Sequence, residues 1–169
     1  YDIMSSDWSS DVCSSDLVQS FFNADLKLMN RAHNAHMAET CIAMAREYFE
    51  NISIDLIYGV SHASDRQWSA NILKTIALGI PHVSAYALTI EPKTALKKMI
   101  DKGHIPPVDD DRTKRQYDLL VDKMEQHGFV NYEISNFGKP GYFSKNNLGY
   151  WCGSLHLGIR PSAHSFYGH

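Results

Sequence analysis

Two hydrophobic rhythms alternate along this chain from Val18 onward. Val18-Gln19-Ser20-Phe21 reads as the end of a strand. Over 36–49, Cys41, Ile42, Ala45 and Phe49 recur at spacings of about three and four, which predicts a helix with one apolar face. Residues 52–58 are β-rich, dense in apolar side chains and closed by Gly59, which predicts a strand buried as in a parallel sheet. The next helix carries its own signals: Ser64 and Gln67 fit a capping box, Trp68, Ile72 and Ile76 recur every four residues, and Gly79 can take a left-handed C-terminal cap. A strand follows over 82–88, then a short helix over 94–102 inside an insertion that contains Pro92, Pro106 and Pro107. Asp109, Asp110 and Asp111 stand where a helix N-terminus favours negative charge. Tyr117, Leu120, Val121 and Met124 form that helix's stripe, Gly128 ends it, and 130–134 reads as the next strand.

Strand and helix alternating at this spacing predict an α/β fold of βα units with parallel strands. The pattern is about half of what an eight-stranded βα barrel requires, so a partial barrel and a smaller open sheet both fit. After Asn136 glycines and aromatic residues crowd together, which suggests loop and short strand. The first residues read differently. A Ser-Ser-Asp repeat runs through 5–16 with almost no core-forming residues, and it also resembles translated adapter DNA. Such a stretch cannot bury enough apolar surface to offset the entropy of ordering. The expected organisation is therefore a disordered or artefactual tail over 1–17, a βα segment over 18–137 and a loop-rich segment over 138–169.

Composition narrows the function classes. The chain is 44% apolar and 21% charged with a net charge of −3, as in ordinary globular proteins. That balance gives no reason to expect nucleic acid or an anionic membrane as partner. No apolar run is long enough to span a bilayer, so no transmembrane segment is expected. The start shows no basic region followed by an apolar stretch. Cys13, Cys41 and Cys152 are far apart, which argues against a disulfide framework and against a cysteine metal site in this chain. A reducing, cytoplasmic setting is the expectation.

In parallel βα folds ligands gather at the C-terminal ends of strands. The polar residues there are Gln19, Asp55, Tyr58, Tyr86, Thr89, Glu91, Glu133, Ser135 and Asn136. Asp55 lies inside an apolar strand, where an unpaired carboxylate is costly. It either hydrogen-bonds a ligand, or caps a loop or pairs with an arginine. His33 and His36, three apart, could share a helix face as metal ligands, but no third ligand is near in sequence, so the spacing reads as a surface pair. His164, among small residues, could point into a pocket or be structural. No Gly-rich phosphate loop, nucleophile elbow or HExxH pattern occurs.

Several blocks in order carry a resemblance. They are Val18-Gln19-Ser20-Phe21, Asn30-Arg31-Ala32-His33, the run over 51–59, the run over 82–92, and Tyr132-Glu133-Ile134-Ser135-Asn136-Phe137. Asn147-Leu148-Gly149-Tyr150-Trp151, Leu157-Gly158-Ile159 and Ala163-His164-Ser165 complete the set. Together they resemble the oxygen-independent coproporphyrinogen III oxidase family of radical S-adenosylmethionine proteins, and the Gln-Ser-Phe form and the Tyr-Trp block are similar to its heme chaperone branch. The resemblance implies part of a radical S-adenosylmethionine βα barrel, with S-adenosylmethionine, a 4Fe-4S cluster and heme as cofactors of the complete protein. Gln19, Arg31, Asp55 and Ala87 fall where the family contacts S-adenosylmethionine, Ala87 by close backbone approach. A carboxylate can accept from a ribose hydroxyl or an ammonium, and Arg31 can pair a carboxylate bidentately. Asn147, Tyr150, Trp151 and His164 are the implied heme candidates.

The chain also departs from the family. The CxxxCxxC cluster loop that the family carries upstream of Val18 is missing, so the chain reads as an N-terminally truncated fragment without cluster ligands. Asn146 replaces the histidine of the suspected heme block, and amide groups ligate iron poorly. Gly59-Val60-Ser61 stands in place of the usual Gly-Leu-Pro, and Arg160 in place of a glycine. The expected functions are a heme chaperone that hands heme to an acceptor protein not identified by sequence, an anaerobic coproporphyrinogen III oxidase, or a truncated chain without function.

Overall fold

The computed structural model describes residues 12–159 and 165–168. One sheet in the order β1-β2-β3-β5-β4 frames it, with β1 at Val12–Gln19, β2 at Asn51–Tyr58, β3 at His82–Ala87, β4 at Val130–Asn131 and β5 at Asn136–Gly138. β1, β2 and β3 run parallel, as the alternation predicts. The helices are α1 (Asn23–Leu28), α2 (Ala35–Arg46), α3 (Asp65–Ala77), α4 (Ala95–Asp101), α5 (Asp110–Gln126) and α6 (Lys145–Trp151). None of the helices described is long and apolar enough to cross a membrane.

The ends of α3 follow its sequence signals. The Ser64 hydroxyl accepts from the Gln67 amide at 3.2 Å, while Gln67 Oε1 accepts from the Ser64 amide at 2.9 Å. Gly79 then turns at φ +68. In α5 the Asp109 carboxylate caps the Arg112 amide at 3.0 Å, and that bond is the main reason its carboxyl lies below the usual range. Trp68, Ile72, Leu120 and Met124 meet Ile52, Ile54 and Leu56 of β2 in the core.

A polar lock ties α3 and α5 to the end of β2. Trp68 Nε1 donates to the Gln116 carbonyl at 2.8 Å, and the Gln116 side-chain oxygen accepts from the Gly59 amide at 2.8 Å. Gly59 is at φ +76, and a Cβ there would stand 2.8 Å from Thr113 Oγ1. Only glycine meets both demands, so β2 ends in a tight turn pressed against α5. Gln116 is fully buried, an in-register core position that its polar side chain hides in the sequence.

Five sequence expectations need correction. Residues 12–17 lie in β1, parallel to β2, whereas the tail was expected to run to residue 17 and the strand to be visible from Val18. Strand pairing is made by the backbone, so the edge of β2 can recruit a serine-rich segment that its own composition would not order. The expected strand over 130–134 is two shorter strands, β4 and β5, and β5 is antiparallel to both β3 and β4. The intervening turn is stitched by its own side chains: Asn131 Nδ2 donates to the Asn136 carbonyl at 3.2 Å and to the Glu133 carbonyl. The buried positions of α2 are Ala38 and Ile42, while Cys41 is exposed and Phe49 lies beyond the helix end. Adjacent helical positions point about 100° apart, so burying Ile42 turns Cys41 outward. β2, finally, is buried on one face only, with Ser53, Asp55 and Ile57 half-buried on the other. Beyond Asn136, β5 extends to Gly138, across the boundary expected at 137, and α6 occupies part of the expected loop.

Candidate functional site

The half-buried face of the sheet is polar and in register. Ser53 lies beside His82, Asp55 beside Ser84 and Ile57 beside Tyr86. Ser84 continues the row to Asn136 on β5, donating to Asn136 Oδ1 at 2.7 Å. Below this row, His82 Nδ1 and the Ser53 hydroxyl are 2.6 Å apart, and His82 Nε2 and the Tyr132 hydroxyl 2.7 Å. Burial pushes the His82 imidazole down to about 4, so it is neutral at pH 7. Burial is also the main influence that raises the Tyr132 phenol. The Tyr132 oxygen accepts from the Ser144 amide at 3.1 Å, which carries the network to the start of α6.

The turn between β4 and β5 and helix α6 form the two walls of a cleft of about 290 Å³. Glu133, Ser135 and Asn136 come from the turn, and Asn147, Tyr150 and Trp151 from α6, with Tyr86 of β3 at the base. Glu133 Oε1 accepts from the Ser135 amide at 3.0 Å and from Asn136 Nδ2, so the turn wall is fixed by its own carboxylate. Ser135 in turn accepts from the Ala85 amide at 2.7 Å. On α6, Asn147, Tyr150 and Trp151 sit at i, i+3 and i+4, which puts them on one helical face. Tyr86, Tyr150 and Trp151 are 45%, 63% and 68% exposed, an aromatic surface turned to solvent.

The structure thus brings the strand-end residues Tyr86, Glu133, Ser135 and Asn136 together with the heme candidates Asn147, Tyr150 and Trp151. His164 lies outside the described residues, as do Arg160 and the side chain of Asn146. Gln19, Asp55 and Ala87 occupy the adjacent strands β1, β2 and β3, with Gln19 opposite Leu56 and Ala87 opposite Tyr58. Gln19 is buried at φ +43, just past a register shift in β1, and Ala87 is exposed at the strand end. Arg31 is exposed on the connection from α1 to α2. His33 is half-buried and His36 exposed, and among the described residues no three His, Cys, Asp or Glu side chains converge on a point. The cysteines belong to separate elements: the Cys13 backbone to β1, exposed Cys41 to α2, exposed Cys152 to the turn after α6. Among the described residues no set of side chains fits an iron–sulfur cluster, which needs thiolates gathered around it.

Sequence reasoning missed one buried polar cluster beside Gln19. Asp25, 1% exposed, accepts from Ser20 Oγ at 2.7 Å and meets His62 Nε2 at 3.0 Å. Asn71 joins from α3, its Oδ1 accepting from the Phe21 amide at 2.8 Å and its Nδ2 donating to Ser20 Oγ at 3.1 Å. No sequence pattern marks it, because its members come from four separate stretches of chain.

No family model matches the chain. It is 37% identical over 154 residues to the heme chaperone HemW of Bacillus subtilis, covering 89% of this chain and 40% of that protein. It is 35% identical over 144 residues to HemW of Mycobacterium tuberculosis, covering 85% of this chain and 37% of that one. The mitochondrial radical S-adenosyl methionine domain-containing protein 1 of Dictyostelium discoideum is 38% identical over 158 residues, covering 88% and 35%. Among solved structures, coproporphyrinogen III oxidase of Escherichia coli, described as a radical SAM enzyme, matches with a TM-score of 0.71 at 20% identity, over 92% of this chain and 38% of that one. That likeness shows a shared α/β fold. The chain spans about two fifths of the length of the HemW relatives it matches.

Proposed function

We propose, for a chain that belongs to the oxygen-independent coproporphyrinogen III oxidase family of radical S-adenosylmethionine proteins and resembles its heme chaperones, that the cleft between the β4–β5 turn and α6 binds heme. The observation that carries this reading is the convergence of Tyr86, Tyr150 and Trp151, largely exposed aromatic side chains, on one cleft with a polar opposite wall. A porphyrin is a flat apolar disc with carboxylate edges. Aromatic faces suit the disc, and the Ser135 and Asn147 side chains offer donors for its rim. The chemistry heme supplies there is that of cargo, held for transfer.

Gln19, Asp55 and Ala87, with Arg31 from the neighbouring loop, are in this reading the S-adenosylmethionine contacts. Their support is position: three of them lie on neighbouring strands toward the C-terminal ends, where parallel sheets bind ligands. Asp55, half-buried, is the acceptor among them. Because no cluster-holding set is present among the described residues, no radical step is assigned to this chain's residues. Asp55→Ala is expected to weaken S-adenosylmethionine binding about tenfold or more, as the loss of a charged hydrogen bond does. Calorimetric titration checks it, and equal affinities would remove Asp55 from the site.

Titration of the chain with hemin tests the heme reading. A saturable change of the Soret band is expected, weakened about tenfold or more in the Tyr150→Ala, Trp151→Ala double variant, as for the loss of two aromatic anchors. A linear, unsaturating response of the unsubstituted chain would count against heme binding.

A further inference from the structure

We infer that His156 supplies the iron ligand, through Nε2, to heme held against the Tyr150–Trp151 wall; this rests on the heme reading above. Iron needs a donor, and the cleft walls offer few. Asn136, Asn147 and Ser135 are neutral amide or hydroxyl groups, poor iron ligands. Glu133 is engaged in holding the turn. The Tyr150 phenol and the nearby imidazole of His156 remain. His156 follows α6 in the chain, and its ring meets the Tyr150 ring edge-on with centroids 4.5 Å apart.

The imidazole is prepared for such a role in two ways. Its Nδ1 is 3.0 Å from the Ser154 carbonyl, which can only accept, so the proton of the neutral ring sits on Nδ1 and the lone pair on Nε2. A hydrogen bond from the far ring nitrogen to a carbonyl is how metal-ligating histidines are oriented and made more basic. The backbone beneath it is pinned on both sides. His156 and Phe166 exchange two amide–carbonyl bonds of 2.9 Å, and the Phe166 ring stacks on the imidazole at 6.1 Å.

The test is a hemin titration of the unsubstituted chain, of His156→Gly with and without added imidazole, and of Tyr150→Phe, read by absorption and electron paramagnetic resonance. His156→Gly is expected to lose the nitrogen-ligated spectrum and to bind hemin at least about tenfold more weakly, as loss of a metal-site group does. Free imidazole filling the vacated position is expected to restore the spectrum, which a variant that had merely unfolded would not show. Tyr150→Phe, which keeps the ring and removes the phenol, is expected to keep the spectrum. An unchanged spectrum and affinity in His156→Gly would overturn the assignment, as would a spectrum lost in Tyr150→Phe alone. Absence of saturable binding in the unsubstituted chain would instead overturn the heme reading itself, and the ligand with it.

Discussion

Replacing Trp68 with alanine is expected to lower the free energy of unfolding by about 3–5 kcal/mol, the range for removing a large aromatic side chain from a core. Trp68 is 2% exposed and packs in the main cluster against β2 and α5, with its ring 5.6 Å from that of Tyr58. Its indole N–H is also the partner of the buried Gln116 carbonyl. Truncation therefore opens a cavity and orphans an acceptor at the same point. Trp68→Phe fills much of the cavity but removes the donor, and a smaller loss of about 1–3 kcal/mol is expected from the orphaned group. Urea unfolding of the two variants checks the pair. The consequence reaches the site, because Gln116 also holds the Gly59 amide that ends β2, the strand of Asp55. A loss below about 1 kcal/mol for Trp68→Ala would mean that the α3–α5 contact does not secure that strand.

Acid is expected to destabilise the fold through His82. His82 is 4% exposed, and burial holds its pKa at about 4 against an ordinary value of 6.5. Between these values the unfolded chain binds the proton and the folded chain does not, so stability rises with pH across the window. The contribution is complete above about pH 6.5 and is lost progressively as pH falls toward 4, for a total of about 3 kcal/mol. Urea unfolding at several pH values measures the slope. In His82→Leu the slope over that window should flatten. That variant should also be weaker at pH 7, because the Ser53 and Tyr132 hydroxyls lose their shared partner. An unchanged slope would show that His82 is not the responsible group. Since Tyr132 links His82 to the start of α6, acid should loosen the cleft along with the sheet.

The periodic parts of this molecule were legible because their signals are local. The Ser64–Gln67 box, the Trp68–Ile72 stripe, Gly79 and the aspartates at the start of α5 each specify an element within a few residues, and the structure has them as read. What escaped was set by partners distant in sequence. β1 reaches back to Val12 because β2 offers it an edge, and β5 inserts antiparallel because the Asn131–Asn136 turn is tight enough to reverse the chain beside β3. Gln116 and Asp25 look like surface residues and are buried because Gly59, Ser20 and His62 supply their bonds. The candidate cleft was half visible. Strand-end reasoning found its turn wall, and the Asn147, Tyr150, Trp151 spacing held the other wall, but only once that stretch is known to be helical.

The central claim is that heme sits between the β4–β5 turn and α6. It is tested most directly by nitrogen-15 NMR of the chain titrated with a diamagnetic gallium porphyrin. The account predicts saturable shifts at the amides of Tyr86, Ser135, Asn136, Asn147, Tyr150, Trp151 and His156, with α2 and α4 silent. Shifts centred on α2 or α4, or none that saturate, would contradict it.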